Sequence, residues 1–184
     1  MKLWENDGNK YKCINTFTIS NNDGWTNILR INKDKLVSSA NSSNYIKFWD
    51  IKNNFNELKT LNNIVVTWWI NGMCLINENI LLVGGYSSNG IYIINTDNYQ
   101  IIAKIHKNIK EVDSIIELMN GNILIGCYDE NSKNSLIEYK YENNNLIKLF
   151  SKDNAHNGDI RSLIEMNDGI IISGSGDSKI KFWL

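Results

Sequence analysis

An imidazole and a carboxylate held within reach of each other can move a proton, and His156 and Asp177 are among the residues that supply those two groups. Acid–base catalysis also asks for a nucleophile, and none accompanies them. Asp129, Glu130 and Asp153 sit among loop-forming residues and read as solvated acids. Glu111, Asp113 and Asp159 are scattered along the chain; a paired-carboxylate hydrolase would need them convergent at one mouth. Three cysteines and two histidines, all dispersed, have no zinc-ligand spacing. GSGDSK, residues 174–179, looks superficially like a phosphate loop. It lacks the Walker spacing and a following helix, so it reads as a hairpin turn. These residues predict a chain that is not an enzyme and holds no metal or cofactor.

The elements that position them are short strands. GIIISGSGDSKIKFW, residues 169–183, has β-branched and aromatic residues on either side of a Gly-Asp-Ser turn, the pattern of a β-hairpin. The same ending recurs as KLWE, IKFWD and IYIIN. Trp4, Trp49, Ile94, Tyr139 and Trp183 end equivalent strands, at steps of 45, 45, 45 and 44 residues. Trp25, Trp69, Val112 and Ile160 align at the start of another strand. One domain over 1–184 follows, with repeats at about 1–11 (partial), 12–52, 53–97, 98–142 and 143–184. Each unit carries four strands, and its second and third are near-continuous apolar runs, as expected where sheets stack face to face. No helical stripe survives across the Asn and Gly turns. A period near 44 with four strands per unit points to the blades of an all-β propeller.

Bulk properties narrow the partners. The net charge of −1 suggests neither nucleic acid nor an anionic membrane surface. No apolar run approaches the ~20 residues of a helical membrane span. The first residues, MKLWENDG, have no apolar core of a secretory signal. The three cysteines read as buried free thiols of a reducing compartment, so a cytoplasmic location is expected. The chain has 31 Asn and no Pro, so its turns must come from Gly, Asn, Asp and Ser.

On these residues the chain resembles the WD40-repeat β-propeller family. KFWD (47–50), KFWL (181–184) and LWE (3–5) look like that family's Trp-Asp strand ending. ISGSGDSKIKFW and AHNGDIRSLI match its pattern closely, with Ala155 in the Gly place of a Gly-His segment. The match is strongest in unit four and weakest in units two and three, which lack Trp, Asp and His. The resemblance implies blades of four antiparallel strands, about four of them here. It also implies a hydrogen-bonded structural tetrad, which only unit four can supply: His156, Ser173 (or Ser175), Asp177 and Trp183. The unit-one turn (Asn41 to Asn44) and the enlarged unit-three turn (Asp129 to Ser135) are expected to be irregular and mobile.

The resemblance further implies a non-catalytic scaffold or adaptor that binds other proteins or peptides through one face. Its contact positions carry over as Gly24, Trp68, Glu111 and Asp159, with Asn157 and Arg161 nearby. Of the neighbours Trp68 and Trp69, one is expected in the core and the other, Trp68, as an exposed anchor. A ubiquitin-ligase adaptor is a narrower alternative: Trp49-Asp50-Ile51-Lys52 is similar to a Trp-Asp-x-Arg docking motif, with Lys in the Arg place. A small-ligand or hydrolytic propeller is the third. The family's rings usually have seven or eight blades. The chain is therefore expected to be part of a larger propeller, to form half of an eight-bladed ring with a second copy, or to close alone. In the latter two arrangements KCINTFTI completes a last blade.

Overall fold

A computed structural model describes the chain except residues 1, 17–25, 41–44, 63, 65–68, 87–89 and 106–108. Every described regular element is a β-strand. β1 (Lys2–Asn6) and β2 (Tyr11–Thr16) form a hairpin. Then come three four-stranded antiparallel meanders. The first blade is β3 (Thr26–Arg30), β4 (Lys35–Ala40), β5 (Ile46–Asp50) and β6 (Asn56–Leu61). The second is β7 (Gly72–Ile76), β8 (Ile80–Gly84), β9 (Ile91–Asn95) and β10 (Gln100–Ile105). The third is β11 (Ile109–Glu117), β12 (Ile123–Asp129), β13 (Asn134–Glu142) and β14 (Asn145–His156). The fourth blade has three strands: β15 (Ile160–Glu165), β16 (Ile171–Ser175) and β17 (Ile180–Trp183).

Blades and sequence units are out of phase by one strand. The segment that opens each unit becomes the outermost strand of the blade before it, because a short turn hands each closing strand directly to the next segment. Asn143 and Asn144, both at positive φ, make one such two-residue turn. The same logic sends β2 to β1. KCINT pairs with KLWEN (Trp4 opposite Cys13) rather than with β17, so the expected completion of the last blade by this strand is not what the chain does.

The core lies between blades. β8 is buried along its whole length, as its unbroken apolar run requires. Ile46, Phe48 and Val37 of the first blade pack against Leu81, Val83, Ile94 and Ile70 at the second. Ile91, Ile93 and Leu82 of the second meet Val112, Ile123 and Ile125 of the third. Leu124 and Leu136 meet Ile160 on the fourth, with Trp183 beside them. The inner strands approach so closely that a Cβ on Gly84 would lie 2.6 Å from Val112 Cβ, and one on Gly126 would lie 2.7 Å from Ile160 Cγ2. β7 follows β3, β11 follows β7, and β15 follows β11; no comparable packing joins the first blade to the fourth among the described residues. The four blades form an open arc.

The thiols differ from expectation. All three are free, but only Cys127 is buried; Cys13 and Cys74 are half-buried, because the hairpin and the inner edge of the second blade are covered on one side only. Burial pushes the Cys74 thiol up to about 11. The unit-three turn is tied down rather than loose. Asp129 accepts from the N–H groups of Asn131 and Lys133 and from the Ser135 hydroxyl. The unit-one turn lies outside the described residues.

Candidate functional site

Two constellations stand out. The first is inside the fourth blade. β14 runs twelve residues and delivers His156 to its end, beside the β16–β17 turn. His156 Nδ1 lies 3.0 Å from Asp177 Oδ2, its Nε2 lies 2.7 Å from Ser173 Oγ, and Trp183 Nε1–H donates to the same Oγ at 2.9 Å. With Nδ1–H facing the carboxylate, Nε2 accepts the Ser173 hydroxyl proton, so the hydroxyl donates to the ring rather than accepting from it. The Asn157 N–H foremost, and then His156, hold the Asp177 carboxyl well below the usual carboxylate range. Ser175, the alternative serine, instead donates to Gly158 O. Every polar atom here is turned inward to a protein partner. The arrangement locks the β16–β17 hairpin to the end of β14 and offers no open position for a reactant.

The second constellation crosses the blades. Ladder pairs place Asn27, Gly72, Ser114 and Ser162 at one equivalent position, opposite Ser39, Gly84, Gly126 and Gly174. The preceding residue in each inner strand is then Asn71, Asp113 or Arg161. Two residues before that stand Trp69, Glu111 and Asp159. A cavity of about 490 Å³ opens where these positions converge, with Asn27 contributed by the first blade and Arg161 by the fourth. Trp69 and Tyr86 form one wall, ring centroids 5.8 Å apart and tilted by 54°. The Tyr86 N–H donates to the Trp69 carbonyl, which pins the pair. Asp113 and Asp159 line the same cavity.

Asp113 dominates the electrostatics. It is 7% exposed, and its Oδ2 has no hydrogen-bond partner among the described residues. Burial, and then the charges of Asp159 and Glu111, push its carboxyl up to about 7. Glu111 is raised as well, by burial first and Asp159 second. Arg161 sits at the rim, 3.5 Å from Asp159 and largely solvated. Among the described residues no group of three or more His, Cys, Asp or Glu side chains is arranged to hold a metal ion.

Blades of this construction occur in known structures. The chain superposes on a structure titled the mitotic checkpoint complex with a TM-score of 0.67 and 19% identity, over 81% of this chain and 45% of that one. It superposes on the WD40 β-propeller domain of Doa1 with a TM-score of 0.65 and 18% identity, over 85% and 49%. The fold is that of a WD40 β-propeller. The chain spans about half the length of either structure. No family model and no curated protein sequence matches it.

Within this WD40 arc, Asp159 and Arg161 line the cavity and Glu111 borders it electrostatically. Asn157 does not reach it; its N–H caps Asp177 at 3.0 Å. Gly24 and Trp68 lie outside the described residues. The aromatic at the repeat position is Trp69, 41% exposed, and its neighbour Ile70 is the core residue at 3%. Sequence alignment had set Trp69 level with Val112 and Ile160. Counted back from the equivalent ladder positions Gly72, Ser114 and Ser162, Trp69 stands level with Glu111 and Asp159, and Ile70 with Val112 and Ile160. Asn27, Asn71, Tyr86 and Asp113 are lining residues that the sequence reading did not assign to a contact surface. In the Trp49–Lys52 segment, Asp50 caps the backbone of Lys52 and Asn53, and Lys52 pairs with Asp34 at 2.9 Å. Both side chains are thereby engaged within their own blade.

Proposed function

We propose that this chain is a non-catalytic interaction module that binds a polypeptide at the cavity over its inner strands. The observation that carries this reading is the cavity itself: a half-exposed Trp69–Tyr86 pair lining one space with Asp113 and Asp159, assembled from separate blades. Exposed aromatics beside desolvated polar groups have the makeup of a binding hot spot. The His156–Asp177 pair is internally satisfied within its blade, and the carboxylates gathered at the cavity stand beside aromatic side chains, a combination suited to holding a ligand. Selection from a random peptide display library tests the reading. A common motif enriched on the wild-type chain and lost on Trp69→Ala is the expected result. No enrichment, or the same enrichment on the variant, overturns it.

A second reading concerns assembly. Phe48 and Ile93 are fully buried by the next blade, whereas Phe182, at the same ladder position of the fourth blade, is 68% exposed. Ile180 and Ile164 beside it are 69% and 54% exposed. An apolar blade face of this kind is completed by another blade, and a second copy of the arc, joined by two-fold symmetry, supplies one. Light scattering should give twice the 21.2 kDa of one chain. A mass of one chain at micromolar concentration rules the pairing out.

A further inference from the structure

We propose that the cavity recognises a cationic side chain, an ammonium or guanidinium, with Asp113 as its counter-ion and Trp69 and Tyr86 as its aromatic wall. The inference deepens the peptide-binding reading and rests on it for the source of the cation. Three independent features converge. Asp113 Oδ2 is buried and unpartnered among the described residues, which is costly for a carboxyl oxygen unless something arrives to use it. None of the ion pairs in the described structure includes Asp113; the nearby guanidinium of Arg161 is engaged with Asp159 at the rim. The aromatic pair lines the same cavity, and a desolvated cation over an aromatic face gains further attraction.

Charge bookkeeping points the same way. Glu111, Asp113 and Asp159 repel one another, and this repulsion adds to burial, the larger cause, in raising the carboxyls of Glu111 and Asp113. Lys110 and Arg161 offset this only in part. A bound cation relieves the repulsion, an anion aggravates it, and a neutral alkyl group leaves it unchanged. At about 490 Å³ the cavity has room for the end of a long side chain and the backbone flanking it.

The test is a nitrogen–proton NMR titration of the labelled full chain at constant ionic strength, following the Trp69 indole N–H and the Asn71 side-chain amide. The probes are n-butylammonium, methylguanidinium and the neutral isostere n-butanol. Saturable shifts in the millimolar range are expected for at least one cation, with n-butanol at least tenfold weaker. Asp113→Asn, nearly isosteric, should weaken cation binding at least tenfold while its thermal melt shows a folded chain. Trp69→Leu should weaken it without removing the charge. Equal binding of butanol and the cations, or an unchanged Asp113→Asn variant, overturns the inference. Capped hexapeptides with central Lys, Arg or norleucine separate the two levels. Binding that ignores the central residue keeps the interaction module and discards the cation. Cation binding with no gain from a flanking peptide keeps the cation site and discards the peptide.

Discussion

Ser173 holds its blade together with one proton and one lone pair. The proton goes to His156 Nε2 and the lone pair takes the Trp183 indole N–H. Removing the hydroxyl leaves a buried imidazole nitrogen and an indole N–H without partners, and the cost is the desolvation of both. Ser173→Ala should destabilise the chain by about 1–3 kcal/mol in urea unfolding. Adding Trp183→Phe should cost less than the sum of the single changes, because the second removes a donor already orphaned. Asp113 behaves in the opposite sense. Its folded pKa of about 7 stands above the ordinary carboxylate value, so the folded chain holds this proton more tightly than the unfolded chain does. The group's contribution is therefore fully present below the ordinary value, near 4, and is lost as pH rises through about 7. Burial first, then the charges of Asp159 and Glu111, set that window, while the Asn71 side chain and Arg161 oppose the shift. Asp113→Asn should raise stability by on the order of 2 kcal/mol at pH 8 and by clearly less at pH 5. Thermal melts at the two values, with an equal gain at both as the contrary result, decide it.

Equivalent strands solve one packing problem in two ways. Where a strand ends in Trp, the facing strand carries Ser: Trp49 donates to Ser38 at 2.9 Å, as Trp183 does to Ser173. Where it ends in Ile94 or Tyr139, the matching positions are Val83 and Ile125. A buried indole N–H needs an acceptor on the facing strand, and neither Ile94 nor Tyr139 carries an indole N–H, so the pair changes together. Units two and three thus keep the blade while losing the motif that marks it. The repeat was legible there only as strand spacing. Close approach of inner strands is a second property of the element. Gly84 and Gly126 stand against Val112 and Ile160 of the following blade, whereas a Cβ on Gly174 would meet only the Ser162 side chain of its own blade. Gly84→Ala and Gly126→Ala should each cost about 1–3 kcal/mol by overpacking, and Gly174→Ala less, since a serine hydroxyl can turn away. Equal losses at all three positions in urea unfolding would refute the blade-on-blade explanation.

At the scale of the molecule the arc has a direction. On the second, third and fourth blades the face of the Trp183 position (Ile94, Tyr139, Trp183) looks back to the preceding blade, and on the first and second the face of the Phe182 position (Phe48, Ile93) looks forward. The fourth blade turns Phe182, Ile180 and Ile164 forward into solvent. Phe182→Lys should therefore be neutral in a free arc and disruptive in an assembled one. In the paired arrangement it is expected to bring the light-scattering mass down to that of one chain without lowering the thermal midpoint of the separated chain.

Strand identity, turn composition and the repeat period were legible in the residues, and the His156, Ser173 (or Ser175), Asp177 and Trp183 set followed from the family resemblance. Each depends on contacts within about thirty positions, inside one unit, where local spacing dictates geometry. The cavity was not legible. Its residues lie some 45 apart, one or two per blade, and only radial stacking gathers Glu111, Asp113 and Asp159, which read as scattered acids in the chain. The choice of Trp69 as the exposed aromatic, with Ile70 in the core, was also a tertiary decision. A side chain changes faces with every residue of a strand, so a one-residue offset reverses which neighbour is exposed, and only the ladder fixes the register.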